Sequence, residues 1–103
     1  LAGTTYQIVG RIDRVRDNED GSKTLVEIKN RAKGLFRTVR DYEEIQCQTY
    51  MEMLDIDECV LIEQYDSKRL SHEIKRDQGM WNEQILPILR NFCERFHDML
   101  STN

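Results

Sequence analysis

The feature that most constrains the fold is a short segment, Thr24 to Lys29, in which charged and aliphatic side chains alternate. Its β-branched and aliphatic residues predict a β-strand. Side chains two apart on a strand point the same way, so Glu27 and Lys29 share one face. Val26 and Ile28 would point the other way, into a core. Taken alone, the Glu-x-Lys pair is also compatible with a solvated ion pair.

A polar run, Asn18 to Ser22, separates this segment from an earlier predicted strand over residues 6–16 and contains an Asp-Gly pair. Asp-Gly between two strand patterns is typical of a hairpin turn. If the run is the loop of the hairpin, Asp13 lies directly opposite Glu27 on the antiparallel partner. Opposed residues lie about 4.5–5.5 Å apart at Cβ, so we expect the two carboxylates to be close.

Two carboxylates facing each other on a sheet need a positive charge between them. Without one, their repulsion destabilises the pairing of the strands. Mg²⁺ binds oxygen ligands and is commonly held by one or two carboxylates together with water and substrate phosphate. We therefore expect a divalent cation between Asp13 and Glu27, with Lys29 beside it.

The order and spacing of these residues resemble a known nuclease signature. Asp13, a turn and then Glu27-x-Lys29 are similar to the motif of the PD-(D/E)xK nuclease superfamily. Gln46 and Tyr50 match the Q-x-x-x-Y motif that follows this strand in the branch resembling RecB nuclease domains and lambda exonuclease.

A third similarity lies toward the C-terminus, where the run Ser71 to Asp77 with Trp81 and Phe92 resembles the end of YqaJ-type viral recombinase nucleases. The resemblance spans residues 6–96. It implies a restriction-endonuclease-like core and a DNA exonuclease that works from duplex ends in recombination or replication. It also implies a viral or phage origin and an intracellular place of action, in the cytoplasm or nucleus of a host cell if the protein is viral.

The resemblance also assigns roles to individual residues. The implied catalytic set is Asp13, Glu27, Lys29, Gln46 and Tyr50. Asp13, Glu27 and the backbone carbonyl of Ile28 would bind Mg²⁺ or Mn²⁺, which would activate water and polarise the scissile phosphate. Lys29 would orient or deprotonate that water and offset charge in the transition state. Gln46 and Tyr50 would position the substrate phosphate or Lys29.

Charge is distributed unevenly along the chain, although the net charge is −4. Five basic residues and no acid lie between Lys29 and Arg40, whereas the segment from Asp41 to Ser67 has nine acids and no Lys or Arg. A local basic run can bind a phosphate backbone even in an acidic protein. With DNA as the partner, the predicted backbone contacts are Arg31, Lys33, Arg37 and Arg40.

Two other functions remain open from the residues. The same fold could be a non-catalytic module that binds nucleic acid or a protein through its acidic helix. It could also be an RNA endonuclease with the same chemistry. Metal affinity separates the first alternative from an enzyme, and a substrate assay separates the second.

Length and composition are those of one ordinary globular domain over residues 1–103, with 39 % apolar and 33 % charged residues. No apolar run is long enough to cross a membrane, so we expect no membrane partner. The three cysteines, Cys47, Cys59 and Cys93, form no C-x-x-C pair. They predict reduced, mostly buried thiols in an intracellular protein, without a zinc site or disulfide framework.

Hydrophobic periodicity predicts the order β-β-α-β-β-α, with a mixed four-stranded sheet flanked by helices in an α/β (α+β) fold. After the hairpin we expect a helix over 38–54, strands over 59–65 and 70–76, and a helix over 78–100. Thr38 is the predicted N-cap of the first helix. The last helix should be interrupted near Pro87 and should bury an apolar stripe. That stripe comprises Trp81, Ile85, Ile88, Leu89, Phe92, Phe96, Met99 and Leu100.

The first predicted strand begins within a few residues of Leu1, whereas the nucleases that the chain resembles place one or more helices before it. The sequence therefore suggests a fragment lacking an upstream helix. We expect an apolar strip near Ile8 and Ile12 that is exposed, or is covered by self-association or by a separate chain supplying the missing layer.

Overall fold

The computed structural model describes residues 12–101, and the side chains among them through residue 95. It has an α+β fold with a four-stranded mixed sheet and helices, as the sequence predicts. The strands are β1 (Arg14–Asp17), β2 (Lys23–Asn30), β3 (Glu58–Tyr65) and β4 (Lys68–Lys75). The helical segments are α1 (Asp41–Leu54), α2 (Gln78–Met80), a π-helical turn (Trp81–Ile85) and α3 (Leu86–Ser101).

The chain divides into two compact units, whose described parts are residues 12–76 and residues 77–101. The first unit contains the sheet and α1, and the second contains the remaining helices. The first part of the predicted strand 6–16, with Ile8, lies outside the described residues. No helix in the described part of the chain has the length and apolar content that a membrane crossing requires.

The sheet has the strand order β1-β2-β3-β4. Strands β1 and β2 form an antiparallel hairpin, and so do strands β3 and β4. Strands β2 and β3 are parallel and are connected through α1, and this parallel pair makes the sheet mixed, as predicted. A parallel pair at the centre of the sheet places the carboxyl end of β2 beside that of β3.

The first hairpin has the register that the Asp-Gly loop predicts. Arg14 pairs with Val26 and Asp17 pairs with Lys23. The N–H of Asn18 donates to the carbonyl oxygen of Ser22 at 2.9 Å, and this bond closes the loop. Gly21 adopts φ +88°, a left-handed conformation that glycine tolerates without a Cβ clash. Extending the register by one residue beyond Arg14 brings Asp13 alongside Glu27.

The apolar core of the first unit lies on the sheet face that also carries the charged pair. Its buried members are Leu25, Cys47, Met51, Ile56, Cys59, Leu61 and Ile74. Leu25 is two residues before Glu27, so the two side chains share a face. Val26, on the opposite face, is buried as predicted. The charged face was not expected to carry a core as well, but α1 packs its own core residues onto it.

Helix α1 begins at Asp41 rather than at the predicted Thr38. Arg40 has an extended backbone, with φ −73° and ψ 154°, so the helix cannot include the residues before it. Arg40 is the N-cap residue, and its N–H donates to Glu43 Oε1 at 3.1 Å. The carboxylate of the third helical residue thus makes the reciprocal bond of a capping box, and Arg40 occupies the N-cap position predicted for Thr38.

The core-facing side of α1 is only partly as predicted. Cys47 and Met51 are fully buried, as expected. Ile45 and Leu54 were also expected to face the core, but they are 40 % and 41 % exposed. All three cysteines are free, with Cys93 half-buried and the other two buried, as predicted.

The second unit begins with Asp77, whose side chain accepts a hydrogen bond from the N–H of Met80 at 3.0 Å. The predicted interruption near Pro87 takes the form of the π-helical turn, in which the N–H of Leu86 donates to the carbonyl of Trp81. Trp81 and Ile85 are buried as predicted, whereas Ile88 and Phe92, expected in the same stripe, are 64 % and 67 % exposed. The side chains of Phe96, Met99 and Leu100 lie outside the described residues.

Candidate functional site

Asp13 and Glu27 lie side by side at the start of the β1–β2 pairing. The Asp13 carboxylate accepts a hydrogen bond from the N–H of Ile28 at 2.8 Å. In return, the N–H of Asp13 donates to Glu27 Oε1 at 3.4 Å. Each carboxylate is thus oriented by the backbone of the opposite segment. Glu27 is 2 % exposed, whereas Asp13 is exposed.

The environment of Glu27 favours a nearby positive charge. Burial raises the pKa of Glu27, and the charge of Asp13 raises it further. The N–H of Asp13 and the ammonium of Lys29 act in the opposite direction without reversing the shift. Two carboxylates that repel each other in a partly dry setting are stabilised by sharing a proton or a cation.

The donor set at this pair fits a hard divalent cation. Among the described residues no group of three or more His, Cys, Asp and Glu side chains is arranged to hold a metal ion. Asp13 and Glu27 supply two carboxylates, which is an ordinary number for Mg²⁺ completed by water and phosphate. The N–H of Ile28 faces Asp13, and the carbonyl of an extended residue points to the same side of the strand. The carbonyl of Ile28, which is the third predicted ligand, therefore lies on the side of the strand that faces Asp13.

Lys29, Gln46 and Tyr50 form a continuous hydrogen-bonded chain. The ammonium of Lys29 donates to Gln46 Oε1 at 2.6 Å, and Gln46 Nε2 donates to the Tyr50 hydroxyl at 3.2 Å. Gln46 and Tyr50 are four residues apart on α1, so they lie on one helical face. The residues of the predicted catalytic set thus fall into two bonded groups that meet at the Glu27-x-Lys29 segment of β2.

Arg31 does not have the surface position predicted for a nucleic-acid contact. Its guanidinium makes two hydrogen bonds to Glu43, at 2.6 and 3.0 Å, and one to Glu63 at 3.0 Å. The Arg31 side chain is 6 % exposed. Because both carboxylates are also buried, the guanidinium neutralises them inside the protein and is not available to a phosphate.

Glu63 organises this buried network. It accepts hydrogen bonds from the N–H groups of Phe36 and Arg37, at 2.6 and 3.1 Å, in addition to the bond from Arg31. His72 donates to Glu63 Oε2 at 2.7 Å, the oxygen that also accepts from Arg37. Burial alone would raise the pKa of Glu63, but the bonds from His72, Phe36 and Arg31 outweigh it and lower the pKa to about 2. An ionised, buried Glu63 therefore holds the loop that follows β2.

Neither Glu43 nor Glu63 belongs to a motif that marks it as a site residue in the sequence. One signal was available, because Glu63 is a charged residue inside the apolar run Cys59–Tyr65 that predicts a buried strand. A buried acid in such a run requires a basic partner. The partner, Arg31, lies 32 residues earlier in the chain, and nothing local identifies it.

The other predicted phosphate contacts lie on the surface. Lys33, Arg37 and Arg40 are exposed. The guanidinium of Arg40 lies 4.3 Å from the centre of the Phe36 ring. The N–H groups of Arg37 and Arg40 donate to Glu63 and Glu43, so the backbone of these two residues is anchored while their side chains face solvent.

No protein-family model matches the chain, and no curated protein matches it. The crystal structure of SSO0001 is similar to it, with a TM-score of 0.61 and 25 % sequence identity over 78 % of this chain. The match covers 39 % of the SSO0001 chain, so this chain spans well under half of that protein's length. The chain is therefore similar in fold to part of a longer protein.

Proposed function

We propose that this protein is a metal-dependent nuclease of the PD-(D/E)xK type that hydrolyses phosphodiester bonds in DNA. The observation that carries the proposal is that Asp13 is hydrogen-bonded to the strand that carries both Glu27 and Lys29. The carboxylates, the amine and the Gln46–Tyr50 pair come from three separate segments, and each is held by a hydrogen bond to another member. An incidental ion pair on a strand would not require this arrangement.

Asp13, Glu27 and the carbonyl of Ile28 would bind Mg²⁺ or Mn²⁺. When bound, such an ion polarises a phosphoryl oxygen and lowers the pKa of a bound water. The protein's own contribution is to fix the two carboxylates, and the hydrogen bonds that they accept from backbone N–H groups accomplish this before any ligand arrives.

Lys29 has a separate role, at the charge that develops on the phosphate. One proton of its ammonium is held by Gln46, which fixes the direction of the side chain. The remaining two protons can donate to a phosphate oxygen or to the attacking water. Gln46 is a positioning residue in this scheme, and Tyr50 fixes the amide of Gln46 from the other side.

The exposed basic residues Lys33, Arg37 and Arg40 would contact the DNA backbone without reading its sequence. We further propose that the enzyme works from duplex ends in recombination or replication inside the cell. The support for this part is the motif resemblance, together with three free cysteines, which are usual where thiols stay reduced. Degradation of a linear duplex with a closed circle of the same sequence left intact would support action from ends.

A cleavage assay tests the proposal. Labelled duplex DNA, single-stranded DNA and RNA are incubated with the protein in Mg²⁺, in Mn²⁺ or in EDTA. We expect DNA cleavage with either metal and none in EDTA. Asp13→Asn and Lys29→Met should each abolish it while the fold is retained, because neither side chain lies in the apolar core.

Matched controls are available on the same two strands. Asp17→Asn on β1 and Lys23→Met on β2 make the same chemical changes at exposed positions outside the site, and both should cleave normally. Normal turnover by Asp13→Asn would refute the proposed site. Cleavage of RNA alone would favour the endonuclease alternative, and binding without cleavage would favour a non-catalytic module.

A further inference from the structure

Phe36 occupies an unusual position in the loop after β2, because two guanidinium groups contact its ring. Arg31 Cζ lies 3.9 Å and Arg40 Cζ lies 4.3 Å from the ring centre. The side chain is nevertheless 40 % exposed. An exposed aromatic ring in contact with two cations is not explained by burial of apolar surface, since much of the ring still meets solvent.

The inner side of this arrangement is rigid. Arg31 is fixed by its buried ion pairs with Glu43 and Glu63. The N–H of Phe36 donates to Glu63 Oε1 at 2.6 Å. The same carboxylate therefore fixes both the backbone of Phe36 and the Arg31 guanidinium that contacts its ring. The position of the Phe36 ring is thus set by the buried network.

The outer side is open. The backbone of Arg40 is held by Glu43, but among the described residues none forms an ion pair with its guanidinium. Arg37 and Lys33, nearby in the same loop, are also exposed. Three exposed cations on an anchored segment of a protein whose net charge is −4 form a local site for an anion.

We propose that Phe36 is a positioning residue for the nucleic-acid backbone: its ring holds the Arg40 guanidinium extended toward a phosphate. A free arginine side chain loses rotational freedom when it binds a phosphate, and this loss costs binding free energy. Contact with a fixed ring restricts the side chain before binding, so the cost on binding is smaller. Arg31 thereby serves phosphate binding indirectly, through Phe36. The inference rests on the proposed nuclease function, since DNA is the partner that this function supplies.

The test is a double-mutant cycle for DNA binding in the Lys29→Met background, which prevents cleavage. Fluorescence anisotropy with a labelled duplex gives the affinity of the parent, Phe36→Leu, Arg40→Gln and the double variant. Phe36→Leu should weaken binding about two- to fivefold, the range that an exposed cation–π contact spans. Phe36→Tyr keeps the ring and should bind like the parent.

The decisive result is the coupling between the two positions. Phe36→Leu should cause no further loss once Arg40 is already Gln, because the ring then has nothing to position. An equal loss in both backgrounds would overturn the proposal, as would parent-like binding by Phe36→Leu. Arg40 is exposed, so Arg40→Gln should fold, and parent-like affinity in that variant would overturn the proposal even if Phe36→Leu were unstable.

Turnover by the Lys29-containing protein provides a second readout. Phe36→Leu should raise KM and leave kcat unchanged, because the contact is made equally in the ground state and the transition state. If the protein with Lys29 intact neither binds nor cleaves DNA, the proposed function itself fails. If that protein binds and cleaves DNA and only the coupling is missing, the role of Phe36 alone is wrong.

Discussion

The side-chain oxygen of Gln46 on helix α1 accepts a 2.6 Å hydrogen bond from the ammonium of Lys29 on strand β2. The two residues are 17 positions apart, and α1 connects the two parallel strands at the centre of the sheet. The crossover helix therefore fixes the direction of the amine that the proposed reaction needs. Tyr50, one turn further along α1, bonds to the same amide.

Replacing Gln46 should slow the reaction without weakening metal binding. Gln46→Leu removes the acceptor, so Lys29 loses its fixed direction, and we expect kcat to fall by about ten- to a hundredfold with little change in KM. Gln46→Glu keeps an acceptor oxygen and should retain more activity than the Leu variant. Steady-state cleavage kinetics provide the comparison, and equal activity in the two variants would contradict the positioning role.

The acid stability of the protein should depend on Glu63. The pKa of this carboxyl is lowered from 4.5 to about 2 in the folded protein, so folding favours its ionised form. The resulting stabilisation is present above about pH 4.5 and is lost as the pH falls toward 2. Glu63→Gln should therefore cost about 3 kcal/mol near neutral pH, since it leaves Arg31 without one of its partners. That difference from the natural sequence should shrink as the pH falls.

Urea unfolding at a series of pH values checks this prediction. Glu58→Gln is the matched control, because Glu58 lies on the same strand in a surface pair with Lys75 and should change stability by less than about 1 kcal/mol. A cost for Glu63→Gln that stays constant from neutral pH down to the acid range would mean that folding does not lower the pKa of Glu63.

The basic run should separate into one structural and several binding residues. Arg31→Gln should lower the free energy of unfolding, because it leaves two buried carboxylates without their shared cation. Charge reversal of Arg37 and Arg40 to Glu should instead weaken DNA binding and flatten its dependence on salt, since fewer counterions are released per complex.

Anisotropy titrations over a range of salt concentrations measure that slope. Arg69→Glu, at an exposed position on β4, serves as the control for the change in net charge alone. An unchanged slope in the Arg37 and Arg40 variants would mean that DNA runs over another surface.

The placement of Asp13 opposite Glu27 could be predicted because it depends on local rules. The Asp-Gly loop fixes the register of a hairpin, and strand alternation fixes the faces. The position of Arg31 could not be predicted in this way, because its partner Glu63 belongs to a strand reached only after the α1 crossover. The sequence of a charged run does not show whether a basic side chain in it faces water or a buried acid.

The predicted start of α1 and the predicted roles of the two sheet faces differ from the structure for related reasons. Thr38 has the side chain of an N-cap, but the extended backbone of Arg40 and the bond from its N–H to Glu43 move the start by a few residues. A core was expected opposite Glu27, and Val26 is buried there, but α1 also covers the face that Glu27 itself occupies. Tertiary packing, rather than periodicity, decided both outcomes.

The central claim is that Asp13 and Glu27 together bind one divalent cation, and a calorimetric titration with Mn²⁺ tests it most directly. The natural sequence should bind one Mn²⁺ per chain, and Asp13→Asn and Glu27→Gln should each abolish that binding. Asp17→Asn should leave it unchanged, because Asp17 pairs with Lys23 at the far end of the hairpin. Mn²⁺ affinity in Asp13→Asn equal to that of the natural sequence, or no affinity in either, would contradict the claim.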